Sequence, residues 1–145
     1  MKLVSFIICD DIRNEIGNKH SLIGVYDDSI EFGVSPKKKN IWPKSLKLGI
    51  FSRILFTDEE LKQNIHSFNL SVKYNDELIE LGNGILPDGL LNQSNKITIA
   101  IVNNNFIFKE AGQLNFIIKF FNNKKDNIGT VKPDINFKVA EKVLQ

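Results

Sequence analysis

The sequence predicts an all-β, antiparallel two-sheet sandwich with at most one short helix. Three observations carry that expectation. Apolar and polar residues alternate over many short runs, turn residues bound each run, and no long stretch repeats with a helical period. Successive strand side chains point to opposite faces, so period-two alternation marks a half-buried strand. Long helical segments between strands, which α/β units require, are missing from the pattern.

The runs follow in order. Lys2–Cys9 is the first strand, His20–Tyr26 the second and Ser29–Gly33 a short third. Val34–Ser45 reads as a loop, because Pro36 and Pro43 interrupt any ladder. Leu46–Phe56 is a long apolar strand. Thr57–Asn64 reads as one or two helical turns: Thr57 and Glu60 form a capping-box pattern, and Asp58, Glu59 and Glu60 suit the positive helix N-terminus. In His66–Tyr74, Phe68, Leu70, Val72 and Tyr74 share one side, and Glu77–Leu81 follows the turn signal Asn75-Asp76. Leu81–Asn95 is a second long loop whose Leu86, Leu90 and Leu91 are expected to cover a sheet end. Lys96–Val102 puts Ile97, Ile99 and Ile101 on one side, and Gln113–Phe121 does the same with Leu114, Phe116, Ile118 and Phe120. Ile128–Val131 and Ile135–Val139 close the chain. Short strands at this spacing point to a sandwich of immunoglobulin-like architecture, with a partly closed barrel as the second choice.

A length of 145 residues makes one domain, 1–145, the default. A hydrophobic content of 42% and a charged content of 25% are ordinary for a globular chain, and eleven Phe against one Trp point to a dry core. The net charge of +2 gives no case for nucleic acid on charge alone. Cys9 is the one cysteine, so no internal disulfide forms, which suits a reducing compartment. The opening MKLVSFIIC mimics a lipoprotein signal, but its apolar run is shorter than the roughly 7–15 residues such a region needs. It is read as a strand of a cytoplasmic protein, with no membrane partner expected.

Charge concentrates in CDDIRNEIGNKHSLIGVY, Cys9–Tyr26. If the first strand runs on and Gly17-Asn18 makes a two-residue hairpin turn, Glu15 faces His20 and Arg13 faces Leu22. Glu15, His20 and Arg13 then gather on one face with Asp11 next along. Asp10 falls on the apolar face unless a bulge at Cys9–Asp11 turns it out. One reading is a solvated hairpin with cross-strand charge pairs. A sharper one is a binding site of Asp10, Asp11, Arg13, Glu15 and His20, in which Arg13 grips an anion or a partner carboxylate. Adjacent carboxylates point to opposite sides of a regular strand, so no metal site is expected.

The same segment resembles the opening signature of a family of small uncharacterised bacterial proteins, C-D-D-[IV]-R-x-E-x-G-x-K-x-S-L-I-G-x-Y. Cys9, Asp10, Asp11, Arg13, Glu15, Gly17, Lys19, Ser21, Leu22, Gly24 and Tyr26 match it. The C-terminal part is similar too, through Phe108, Glu110 and Gly112, the strand Leu114–Phe121, Ile128-Gly129 and Phe137-Lys138-Val139. Gln113-Leu114 departs from the pattern where an aromatic is common, and Asn122–Asn127 exceeds a tight turn. The resemblance implies family membership and names no activity.

A second candidate is the basic loop Lys37, Lys38, Lys39, Lys44 and Lys47 around Trp42, which suits phosphate contacts and stacking, or else a solvated loop with Trp42 against a sheet edge. No Gly-rich phosphate loop, G-x-S-x-G or H-E-x-x-H occurs. Cys9 reads as a small core residue, and His20 and His66 as solvent-facing or hydrogen-bonded. The leading expectation is therefore a non-enzymatic interaction module that binds a protein partner or itself, without a cofactor. The alternative is a small-ligand or anion-binding domain anchored by Arg13.

Overall fold

The computed structural model describes all 145 residues. Ten strands, β1 (Lys2–Glu15), β2 (Lys19–Tyr26), β3 (Ser29–Val34), β4 (Lys44–Leu55), β5 (Ile65–Tyr74), β6 (Glu77–Ile85), β7 (Lys96–Phe108), β8 (Gly112–Asn122), β9 (Asn127–Val131) and β10 (Phe137–Val143), form two sheets. One four-residue helix, α1 (Asp58–Leu61), links β4 to β5. Its capping box is complete: Glu60 N–H donates to Thr57 Oγ1 at 3.2 Å, and Thr57 N–H donates to Glu60 Oε1 at 2.9 Å.

The first sheet has the order β2-β1-β4-β7. The second runs β3-β10-β8-β5-β6, with β9 beside β8. Pairing is antiparallel except between β3 and β10, which run parallel. That pair exists because the chain leaves β2 at Asp27-Asp28 and crosses to the opposite layer. The last strand is Phe137–Val143, two residues beyond the start expected from sequence, since Lys138 N–H already bonds Asp28 O at 2.9 Å. β6 and β7 also run further than their apolar alternation indicated, to Ile85 and Phe108.

Alternation builds the core. Leu114, Phe116, Ile118 and Phe120 of β8 are all buried, as are Leu70, Val72 and Tyr74 of β5. Ile50 and Ile54 of β4 and Ile97 and Ile99 of β7 face them from the other layer, within one cluster of 21 buried residues. Aromatic contacts join the layers: Phe6 of β1 lies 5.1 Å from Phe116 of β8, which lies 5.8 Å from Phe137 of β10. On one flank the layers converge, since a Cβ on Gly82 of β6 would lie 2.6 Å from Ile101 Cδ1 of β7.

The β1–β2 turn corrects the expected register. Glu15 pairs with Lys19, so the loop is Ile16-Gly17-Asn18, three residues long, with Gly17 at φ 84° and Asn18 at φ 57°. The one-residue shift moves every partner. Arg13 lies opposite Ser21 rather than Leu22, and His20 lies opposite Asn14 rather than Glu15.

Candidate functional site

The charged segment is organised by a bend. β1 and β2 pair through Ile8–Tyr26 and Cys9–Val25, and pairing resumes at Asp11–Ile23. Between them Asp10 lies against Gly24, which takes φ +66°. A Cβ on Gly24 would sit 2.1 Å from Asp10 Oδ2, so only glycine leaves room for the carboxylate. The Tyr26 hydroxyl donates to Asp10 Oδ1. Burial, and then the Asp10 carboxylate, push the Tyr26 pKa well up, which keeps it a donor.

Beyond this bend the hairpin folds over the outer face of the four-stranded sheet. Three contacts fix it there. Ile12 Cγ1, three positions beyond Cys9, the ladder partner of Gly49, reaches back to Gly49, where a Cβ would meet it at 3.0 Å. The His20 ring lies 5.3 Å from Phe51. β1 also touches β7, although β4 separates the two within the sheet. Phe51 faces away from the main core yet is only 5% exposed, with Arg53, two residues along β4 on the same face, 5.2 Å from its ring. Cys9 and Phe51 are thus buried outside the 21-residue core, with Ile12 and His20 of the arm reaching towards them.

The five residues of the expected site are therefore divided. Asp10 is held by Tyr26 at the bend. Asp11 accepts from Lys47 Nζ at 2.8 Å and from Ile12 N–H at 2.9 Å, and the Lys47 bond holds its carboxyl below the usual range. Glu15 accepts from Ser21 Oγ at 3.0 Å. His20 meets the Phe51 ring edge to face. Arg13 is exposed and pairs with no carboxylate. At the hairpin end, Glu15, Ile16, Lys19, His20 and Ser21 border a recess of about 390 Å³, and Ile16 is 96% exposed. Cys9 Sγ lies 3.3 Å from Asp11 O, and burial together with Asp10 raises its pKa, so the thiol is held protonated and away from solvent.

The basic loop is tied down at one end. Lys44 Nζ lies 3.0 Å from Glu141 Oε1, donates to Ile41 O at 2.7 Å and stands 4.9 Å over the Trp42 ring. Phe32 meets the same ring edge-on at 5.9 Å. Asn40 N–H donates to Glu141 Oε2 at 2.8 Å, and it, with Lys44 beside it, holds the Glu141 carboxyl low. Lys37 and Lys38 on a 3₁₀ turn, and Lys39 just after it, remain exposed, while Trp42 is engaged by Lys44 and Phe32.

Two features escaped the sequence reading. A cleft of about 360 Å³ lies under the loop after β6 and brings His66 together with Asn64, Asp88 and Asn92. The long loop was legible, but nothing in the spacing joined it to His66. The second is a knot at the start of β8. The Tyr74 hydroxyl donates to Glu110 O and accepts from Glu110 N–H, and Asn75 Oδ1 fills the place of a Cβ on Gly112. Glu110 and Gly112 of the C-terminal pattern thus have structural roles. No group of three or more His, Cys, Asp or Glu side chains is arranged to hold a metal ion, and no helix is long and apolar enough to cross a membrane.

What these features define as a class is a β-sandwich whose first hairpin is bent back over one sheet and presents its turn to solvent. Compared with known proteins, the chain matches no family model and no curated sequence.

Proposed function

We propose that this chain is a cytoplasmic, non-enzymatic protein-interaction module that engages its partner through the tip of the β1–β2 hairpin. The observation that carries this reading is Ile16, 96% exposed at the turn, bordered by exposed Glu15 and Lys19. An apolar side chain ringed by charged ones suits an anchor-and-rim contact, in which the anchor is desolvated and the rim sets orientation. The bend at Asp10–Gly24 supports it by fixing the arm, so that little ordering entropy is lost on docking. A second reading, an anion site anchored by Arg13, is favoured by the absence of a carboxylate partner for that guanidinium.

One experiment separates them. Immobilised wild type, Ile16→Ser and Arg13→Ala are compared for proteins retained from an extract of the source cells, and for thermal shifts with nucleotides and phosphorylated metabolites. Retention lost with Ile16→Ser, at an unchanged melting temperature, is the expected result. Equal retention by all three proteins overturns the tip as the contact. A thermal shift that Arg13→Ala abolishes and Ile16→Ser keeps transfers the assignment to the anion reading.

A further inference from the structure

β7 is the outer strand of the first sheet and pairs with β4 on one side only. From Lys96 to Val102 that pairing is in unbroken register against Leu55 to Gly49. No Gly, Pro or charge occurs between Ile97 and Val102. A straight, uncharged, β-branched edge is a ready template for another strand, and proteins normally blunt such edges. The remaining edges here are blunted. β2 is kinked at Gly24, β6 carries Gly82, Gly84 and a register shift against Leu70–Ser71, and β3 and β9 are only six and five residues long.

The open segment is also complementary to itself. It reads Asn95-Lys96-Ile97-Thr98-Ile99-Ala100-Ile101-Val102-Asn103, with Ile99 at its centre. Laid antiparallel on a second copy about Ile99, Ile97 meets Ile101, Thr98 meets Ala100, Lys96 meets Val102 and Asn95 meets Asn103. Ile97 and Ile99, both buried, stay on the inner face in each copy, and exposed Thr98 and Ala100 stay outside. No like charges face each other, since each Lys96 lies opposite a valine. β6 adjoins β7 at Gly82–Ile101.

We infer that a second copy of this chain docks on β7, joining two four-stranded sheets into one eight-stranded sheet across a two-fold axis at Ile99. The contact uses the same patch on both copies, so it closes at a dimer and leaves no β7 edge open. It is independent of the hairpin tip, which belongs to other strands.

Sedimentation velocity from low to high micromolar chain concentration tests it. Wild type reaches twice the 16.5 kDa chain mass. Thr98→Glu/Ala100→Glu sets glutamates against glutamates across the axis, while Arg53, the β4 partner of Thr98, accommodates the new charge within each chain. Its dissociation constant rises about tenfold or more. Thr98→Glu/Ala100→Lys sets opposite charges together and restores the dimer. A wild type that stays monomeric, a mass that grows past the dimer, or a dimer indifferent to the double glutamate overturns the inference. Hydrogen exchange on wild type reads the same contact without substitution: amides of 96–102 gain protection with concentration, and unchanged exchange also overturns it. Ile16→Ser leaves the dimer mass unchanged, so failure at the tip and failure at this edge are told apart.

Discussion

Gly24 and Gly17 both take positive φ, and they differ in what surrounds them. Around Gly17 a Cβ meets only Lys19 Cε at 4.0 Å, whereas at Gly24 it strikes the Asp10 carboxylate. Gly17→Ala therefore costs backbone strain alone, about 1–2 kcal/mol. Gly24→Ala adds the displacement of Asp10 and loss of the Tyr26 bond, about 3 kcal/mol or more. Urea unfolding of the two variants measures the difference, and equal costs would mean that Asp10 does not lean on Gly24. The neighbouring carboxylate makes a pH prediction. The Lys47 hydrogen bond holds Asp11 below its ordinary value of 3.8 in the folded chain, so the unfolded chain binds its proton more readily. The Asp11 contribution is therefore complete above 3.8 and is lost as pH falls through the lower folded value. Asp11→Asn is less stable than wild type at neutral pH, and melting curves of the two converge under acid. A gap independent of pH would assign Asp11 to packing rather than charge.

The folded-over hairpin is an element whose stability is separable from the rest. Its underside is the small cluster of Cys9, Ile12, His20 and Phe51, distinct from the main core. Few buried contacts hold such an element, so it opens more readily than the sandwich behind it. Gly49 is its clearance point, because Ile12 of the arm passes 3.0 Å from where a Cβ would stand. Gly49→Ala lifts the arm and exposes the Cys9 thiol. Native Cys9 reacts slowly with a disulfide reagent, being fully buried with a raised pKa. The variant reacts at least about tenfold faster, the factor that about 1.4 kcal/mol off the closed arm produces. Hydrogen exchange localises the loss to Ile12–Leu22, with the β5–β8 amides unchanged. A slowdown, or a loss spread over both sheets, would show that the arm is part of the main cooperative unit.

Across the whole molecule, the legible part is whatever one strand decides alone. Leu114, Phe116, Ile118 and Phe120 declare their shared face by spacing, and Thr57 with Glu60 declares the cap of α1, because each pattern is set within a few residues. Pairing is decided between distant segments. The parallel β3–β10 contact joins Ser29–Val34 to Lys138–Val143, and no local signal in either records it. The site was half legible for the same reason. The odd residues Asp10, Asp11, Arg13, Glu15 and His20 stood out, but one extra residue in the turn and a bend at Gly24 sent them to different neighbours. The layers are joined where such long-range choices meet, and Phe116 sits at that meeting: it touches Phe6 of the first sheet and Phe137 of the second, at 5.1 and 5.8 Å. Removing it leaves a cavity between sheets that pair with different partners and cannot collapse together, so Phe116→Ala costs about 3–5 kcal/mol. Against a total of about 5–15 kcal/mol, that loss moves the urea midpoint of the whole chain and of every probe at once. Phe51→Ala empties only the cluster under the arm, so it speeds Cys9 labelling more than it shifts the global midpoint. Were the two substitutions to lower the midpoint equally, the second cluster would have to count as core, and the hairpin as a third layer of the fold.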